Sequence, residues 1–173
     1  ILTAAGKQAQ EQNRAIAGPP MPCATIYPFP RIGLLSEPMR ILQAPKMTMH
    51  QFEGASTRTI YTDGRSLPKE INLPSIMGYS AGHWEGDELV VQTAGFMDKA
   101  WIDAARHPRG EDMKITERFR RRDYGHLEVA YTFDNPKYYT RVFTIKVRYN
   151  LLADDDVLEF NCTENEKDAE HMK

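Results

Sequence analysis

The sequence lacks long apolar runs, a charge excess and the spacings typical of metal sites. No run of apolar residues is long enough to cross a membrane as a helix. The formal net charge of −2 argues against a general nucleic-acid-binding protein, which would carry a strong basic excess. His-x-His, His-x-x-x-His and Cys-x-x-Cys spacings are all missing, so no metal and no cofactor are predicted.

Cysteine is also scarce, with Cys23 near the start of the chain and Cys162 near its end. The first residue is Ile1 rather than Met, which removal of an export signal would explain. In an exported protein we expect a Cys23–Cys162 disulfide, and in a cytosolic protein two buried free thiols. In the chain-entropy model this disulfide contributes about 4–5 kcal/mol, because the loop that it closes is long.

The first 38 residues differ in pattern from the rest of the chain. Residues Thr3 to Ala17 are rich in Ala, Gln, Lys and Glu and end at Gly18-Pro19-Pro20, which predicts a helix. Six prolines between Pro19 and Pro38 predict an extended arm that wraps a surface. We therefore divide the chain into a helix with a proline-rich arm over 1–38 and a single domain over 39–173.

From Met39 onward the apolar residues recur with the period of two that is typical of β-strands. The predicted strands are Met39–Gln43, Lys46–Phe52, Thr57–Tyr61, Tyr79–Trp84, Glu88–Thr93, Met113–Arg122, His126–Phe133, Arg141–Tyr149 and Val157–Cys162. So many short antiparallel strands in one domain must close or stack. The predicted fold is therefore all-β: an antiparallel, lipocalin-like barrel, closed or nearly closed, with a β-sandwich as the alternative. A short helix over 98–106 would form a lid.

The stretch from Gly78 to Thr93 contains the Gly-x-Ser-x-Gly pattern of a hydrolase nucleophile, with its serine at Ser80. A nucleophile elbow must run from a strand into a helix, whereas Gly86-Asp87 is typical of a two-residue hairpin loop. Pairing Glu85 with Glu88 would also pair Trp84 with Leu89, Gly82 with Val91 and Ser80 with Thr93. The sequence therefore predicts a β-hairpin in which Ser80 is a hydrogen-bonding residue of a pocket wall and not a nucleophile.

Four residues are candidates for acid–base catalysis: His50, Glu117, Asp103 and His107. Alternation along Met113–Arg122 places Glu117 on the apolar face, where it acts in a pocket, salt-bridges a neighbouring arginine or lies at the barrel rim. His50 shares a strand face with Phe52, and paired with Glu117 or Asp63 across a cavity its pKa would suit proton transfer; alone, it is a structural histidine. Asp103 and His107 lie in and just after the predicted lid.

Six residues are candidates for contacting a substrate: Tyr61, Arg65, Ser80, Trp84, Asp98 and Trp101. Tyr61 and Arg65 would orient it, with Arg65 holding a carboxylate unless it pairs with Asp63 instead. Trp84 and Trp101 would form apolar walls. The alternative for Asp98 and Trp101 is capping and packing of the lid segment.

Several segments together resemble one group of proteins. They are Tyr61-Thr62-Asp63-Gly64-Arg65, Gly78 to Thr93, Gly95-Phe96 with Asp98 and Trp101, Thr116-Glu117-Arg118-Phe119, and Glu164-Asn165 through Lys167-Asp168-Ala169 to His171-Met172. From about Pro30 onward, the chain resembles a group of exported bacterial proteins of unknown function that are usually made with a signal peptide. The resemblance implies a small β-rich domain in the periplasm or outside the cell, and it brings no reaction with it. Met97 departs from the pattern, which has a polar residue between Phe96 and Asp98.

Three functions are consistent with these features. The first is a cofactor-independent enzyme whose internal pocket carries out an isomerisation, elimination or hydration of a small organic molecule. The second is a non-catalytic, lipocalin-like carrier of a small apolar or aromatic molecule, in which fixed partners neutralise the inward titratable groups. The third is a structural or assembly subunit, such as a homo-oligomer, with a filled interior and with the arm and charged tail holding a neighbour.

Overall fold

The computed structural model describes residues 1–16, 28–34, 38–53, 57–98 and 100–158. Two helices come first, α1 (Ala4–Ala15) and the single-turn α2 (Arg31–Leu34). The strands that follow are β1 (Met39–Ala44), β2 (Met47–Phe52), β3 (Thr57–Tyr61), β4 (Tyr79–Glu85), β5 (Glu88–Ala94), β6 (Lys114–Arg121), β7 (His126–Asp134) and β8 (Phe143–Asn150). Neither helix is long and apolar enough to cross a membrane.

The strand positions confirm the period-two prediction, because each of the eight strands lies within two residues of its predicted bounds. The N-terminal helix is confirmed as well, and the Thr3 side chain caps it by accepting a hydrogen bond from the Gly6 N–H. Of the ninth predicted strand, Val157 and Leu158 lie outside any strand and the rest falls outside the described residues. Cys23 and Cys162 also lie outside the described residues, so the disulfide stays a prediction.

The eight strands form one sheet in which neighbours in space follow the order of the sequence. Every neighbouring pair is antiparallel except β3 and β4, which are parallel, so the fully antiparallel prediction is wrong at this point. The hairpin of β4 and β5 has the predicted register, from Glu85↔Glu88 to Ser80↔Thr93. Ser80 is therefore a strand residue, and the Gly-x-Ser-x-Gly pattern is not a nucleophile elbow.

The sheet is curled into a half-barrel. Arg58 on β3 donates a hydrogen bond to Glu117 on β6, although three strand spacings would separate their strands by about 14 Å in a flat sheet. Similarly, the rings of His50 on β2 and Phe119 on β6 have centroids 5.3 Å apart. Within the described residues no ladder joins β1 to β8, and all strands belong to one sheet, so neither a closed barrel nor a β-sandwich forms there.

Part of the N-terminal arm fills the concave face of the curled sheet. Phe29 and Ile32, which are 1% and 0% exposed, belong to the same core as Val91 and Tyr131. At Gly33, an added Cβ would lie 2.5 Å from the Tyr131 hydroxyl, so a larger side chain would not fit. The arm thus does not only wrap the surface as predicted, because residues 28–34 pack as part of the domain core.

The lid helix predicted over 98–106 is not formed by the described residues of that segment. Trp101 forms an antiparallel bridge with Pro108, and the Ile102 N–H donates to the His107 carbonyl over 3.0 Å. Arg106 has a left-handed φ of 64°, which a helix does not accommodate. Because Trp101 and Ile102 are both buried, the segment is a packed loop that covers the core.

Candidate functional site: a cleft between β3 and β4

The parallel junction of β3 and β4 is the shortest ladder of the sheet. Two residue pairs make it, Ile60↔Ser80 and Tyr61↔Ala81. Gly78, just before β4, has a φ of +71°, a conformation that glycine adopts without strain. The chain before β4 therefore turns away from β3 and leaves a gap beside Thr57–Thr59.

The gap is an open cleft of about 470 Å³. Sites for small ligands usually have volumes of about 300–1,000 Å³. The residues that line it are Thr57, Arg58, Thr59, Tyr61, Pro74, Ser75, Ile76, Met77, Gly78, Tyr79, Ser80 and Met97. Apolar side chains and hydroxyl groups dominate this lining, and Arg58 is its one Lys, Arg, Asp or Glu residue.

Arg58 is buried and hydrogen-bonded at the floor of the cleft. Its two terminal nitrogens donate to the two carboxylate oxygens of Glu117, over 2.9 and 2.5 Å. Its Nε donates to the Ser80 Oγ over 3.0 Å, and Nη2 also donates to the Thr93 Oγ1 over 2.6 Å. Glu117 is 0% exposed, so the alternative of a salt bridge with a neighbouring arginine is confirmed. The two charges neutralise each other, and the floor carries no net charge.

His50 lies on the same concave face, directly opposite Arg58 in the register of β2 and β3. Its ring makes edge contacts with Phe52 and Phe119. This burial, with a smaller contribution from the positive charge of Arg58, lowers the pKa of His50 to about 3. Its Nε2 has no hydrogen-bond partner among the described residues. The pairing of His50 with Glu117 for proton transfer stays a prediction that this geometry does not favour.

Two tyrosines and an arginine stand at the mouth of the cleft. Tyr61 and Tyr79 are stacked with centroids 5.4 Å apart, and the Arg65 guanidinium lies 4.0 Å from the Tyr61 ring centroid. Arg65 also donates to Asp63 through Nε over 2.8 Å, and this bonding lowers the pKa of Asp63. Tyr61, a predicted substrate-contact residue, lines the cleft. Arg65 is paired with Asp63, which was the alternative to its holding a carboxylate of the substrate.

The remaining polar candidates lie in the loop between β5 and β6 and do not line the cleft. Asp103 and His107 are each about one-third exposed and bond to one another, with 2.6 Å between the aspartate Oδ2 and the histidine Nδ1. Trp101 is buried, and the Arg106 guanidinium lies 4.4 Å from its ring centroid. Asp98 precedes this loop segment and interacts electrostatically with Arg109. The structure thus does not bring this group together with Tyr61 and Ser80.

The β4–β5 hairpin places its two candidate residues in opposite environments. Ser80 is 1% exposed and lines the cleft, as predicted for a hydrogen-bonding wall residue. Trp84 has the predicted register but is 55% exposed, although its cross-strand partner Leu89 is buried in the core. Trp84 therefore does not form a wall of the cleft.

Arg58 and Arg109 are the buried charged residues, among those described, that the sequence interpretation missed. Arg109 is 0% exposed and donates to the carbonyl oxygens of Phe29, Ile76 and Met97, so it joins the arm, the cleft wall and the loop. Burial lowers the pKa of Arg109 to about 9. A signal for Arg58 was present, because alternation along β3 places it on the same face as Ile60. Arg109 lies in an irregular loop, where periodicity gives no signal.

No protein-family model, curated protein or solved structure matches the chain. The resemblance to exported bacterial proteins therefore stays a prediction. Among the described residues, no group of three or more His, Cys, Asp or Glu is placed to hold a metal ion. The cleft and the buried Arg58–Glu117 network beneath it are therefore the candidate functional site.

Proposed function

We propose that the protein binds a small uncharged organic molecule in the cleft between β3 and β4 and does not catalyse a reaction on it. The observation that carries this proposal is the neutralised charge around the cleft. Arg58 at the floor is saturated by Glu117, and Arg65 at the mouth is paired with Asp63. A charged ligand would lose hydration without gaining a free counter-ion, whereas an uncharged one would not meet that cost.

The lining of the cleft supports a ligand with both an apolar part and a hydroxyl or amide group. Tyr61, Tyr79 and Met77 offer apolar surface. The Thr59 hydroxyl offers a hydrogen bond, and the Ser75 hydroxyl, which donates to the Gly78 carbonyl, offers an acceptor. Such a mixture of apolar walls and few polar groups is typical of small-molecule sites.

The titratable groups support binding over acid–base catalysis. With a pKa of about 3, His50 neither holds a proton nor exchanges one near neutral pH. Glu117 uses both oxygens on Arg58. The concave face itself is occupied by Phe29 and Ile32, so a lipocalin-like carrier built this way would bind beside its sheet rather than inside a lumen.

The proposal includes export of the protein, which is tested separately from binding. Export, which the resemblance implies, would favour a Cys23–Cys162 disulfide. Reduction would then raise the intact mass by that of two hydrogen atoms. An unchanged mass would remove the support that the cysteines give to export, without bearing on the cleft.

The binding proposal can be tested by NMR on the methyl groups of Met77 and Met97, which both line the cleft. The probes are benzyl alcohol and benzoate, which share a ring and differ in charge. We expect benzyl alcohol to shift both methyl signals and benzoate to bind at least about tenfold more weakly, a difference of about 1.4 kcal/mol.

Two variants locate the binding. Thr59→Trp fills the cleft and should abolish the shifts, whereas Thr144→Trp, on the exposed face of β8, should leave them unchanged. Absence of any shift with benzyl alcohol, or equal affinity for benzoate, would overturn the proposal.

A further inference from the structure

The β3 wall of the cleft presents backbone groups in a defined order. The Thr62 N–H, which follows β3, donates to the Lys46 carbonyl on the β2 side over 2.9 Å. Successive residues of a strand direct their backbone N–H and C=O to alternate sides. Arg58 and Ile60 therefore direct theirs to β2, and Thr57 and Thr59 direct theirs to the cleft.

The short parallel ladder uses only some of the backbone N–H and C=O groups that β3 directs to the cleft. With Ile60 turned to β2, its pairing with Ser80 employs the Thr59 C=O and the Tyr61 N–H. The N–H and C=O of Thr57 and the N–H of Thr59 are left over. Within the described ranges, these three groups have no hydrogen-bond partner.

Gly78 explains why the ladder stops there. A regular continuation of β4 would place Gly78 opposite Arg58, two residues before the pair Ile60↔Ser80. The φ of +71° at Gly78 instead turns the chain away. The cleft is thus one vacant position in a parallel ladder, with a donor and an acceptor already in place on β3.

We propose that the ligand of the cleft is a short extended peptide that adds to β3 as a parallel strand. This inference rests on the proposed function, because it requires the cleft to be a ligand site. One guest residue opposite Arg58 would donate its N–H to the Thr57 carbonyl and accept the Thr59 N–H at its own carbonyl. The guest residue makes the same two bonds that Ser80 makes two residues further along β3, opposite Ile60. This mode of binding is strand addition at an open edge.

The two faces of the sheet set the side chains that such a peptide can carry. The guest residue opposite Arg58 projects to the concave face, where Arg58 and Ser80 are both buried, so it must be small. The guest residue before it projects to the other face beside Thr57, which is exposed. Tyr79 of β4 already lies opposite Thr59, so the bound part of the peptide ends at the residue opposite Arg58. Because Arg58 is neutralised by Glu117, neither guest side chain gains from a charge.

The test is an amide NMR titration with capped dipeptides. The probe is N-acetyl-Val-Ala-amide, and its matched control carries an N-methyl group on the alanine nitrogen, which removes the one donor that Thr57 needs. We expect the first peptide to shift the Thr57 and Thr59 amide signals and to leave Val129, in the core of β7, unchanged. The N-methylated peptide should bind at least about tenfold more weakly.

Two protein variants provide an independent check. Thr59→Pro removes the Thr59 N–H, which has no partner in the ladder, and should abolish peptide binding. Thr59→Ala keeps the N–H and should retain it. If Thr59→Pro does not fold, the comparison of the two peptides still tests whether the ligand binds through its backbone.

The outcomes separate this inference from the proposed function. Binding of benzyl alcohol without binding of the peptide would overturn the inference and leave the proposed function standing. Equal binding of the two peptides would also overturn it, because the backbone donor would then be irrelevant. Failure of both benzyl alcohol and the peptide to bind would overturn the proposed function together with the inference.

Discussion

The β3–β4 junction and the β6–β7 ladder are two solutions to pairing within one sheet. β6 and β7 share eight consecutive antiparallel pairs, from Lys114↔Asp134 to Arg121↔Leu127. β3 and β4 share two parallel pairs, after which the chain diverges. The continuous ladder satisfies its backbone groups and leaves no room for a ligand, whereas the interrupted one leaves both a cleft and free donors. The comparison teaches that this sheet can accept a ligand where its own pairing stops.

Charge is also handled differently in the two regions. Beneath the junction, Arg58 and Glu117 form a buried pair that is shielded from water. On the outer face of β6, Arg118 bonds to Glu85 and Glu88 at a position that is about half exposed. A buried pair whose partner is removed leaves an uncompensated charge, whereas solvent screens an exposed one. Substitutions in the two places should therefore have very different costs.

The largest expected effect is that of Arg58→Ala. It leaves the Glu117 carboxylate buried and unpaired, and it should lower the free energy of unfolding by about 3–5 kcal/mol. The matched control is Arg118→Ala, which removes ion pairs that solvent screens and should cost much less than Arg58→Ala. Urea unfolding measures both, and equal losses would contradict the distinction between the buried and the exposed pair.

The second-largest expected effect is a difference in stability between alanine substitutions at Gly78 and Gly86, which both have positive φ. At Gly78 an added Cβ would lie 2.6 Å from the Phe96 ring and 2.8 Å from the Thr93 methyl group, whereas at Gly86 it would meet nothing within 4 Å. Gly86→Ala should therefore cost only the backbone term of about 1–2 kcal/mol. Gly78→Ala should cost about 1–3 kcal/mol more, because it also overpacks the core. Thermal or urea unfolding compares them, and indistinguishable losses would show that an added Cβ at Gly78 does not overpack the core.

A third, smaller effect concerns pH. Because the pKa of His50 is about 3 in the folded protein, against 6.5 in an unfolded chain, only the unfolded state gains this proton between those values. His50 therefore contributes its full stability above pH 6.5. That contribution falls by about 1.4 kcal/mol per pH unit on acidification below it.

The corresponding variant is His50→Phe, which keeps an aromatic ring beside Phe52 and Phe119. Its free energy of unfolding should fall less steeply between pH 6 and pH 4 than that of the parent protein, by about 1.4 kcal/mol per pH unit. Identical slopes for His50→Phe and the parent would mean that His50 is not buried as the structure has it.

The sequence predicted the strands well and the junction poorly, for a physical reason. Strand positions and the β4–β5 register follow from alternation and a two-residue turn, which are local features. The parallel pairing of β3 with β4 depends on the long connection between Tyr61 and Tyr79, which has no periodicity. The divergence of the two strands depends on the positive φ of Gly78. The presence of a glycine in the sequence does not reveal the sign of its φ.

The buried network was accessible from the sequence only in part. Glu117 was placed on the apolar face correctly, because it alternates with Ile115 and Phe119. Its partner Arg58 comes from a strand three places away in the sheet, so the pair depends on the curl rather than on spacing. The arm that fills the concave face was harder still, because Phe29 and Ile32 lie in a proline-rich stretch whose pattern does not distinguish a surface wrap from a core segment.

The central claim, that the ladder of β3 is interrupted beside Thr57 and Thr59, is tested most directly by amide hydrogen exchange in the unliganded protein. The structure predicts an alternation along β3. The amides of Thr57 and Thr59 should exchange at least about a hundredfold faster than those of Arg58 and Ile60, which bond to β2. Equal protection of all four amides would mean that the edge is already covered and would contradict the account.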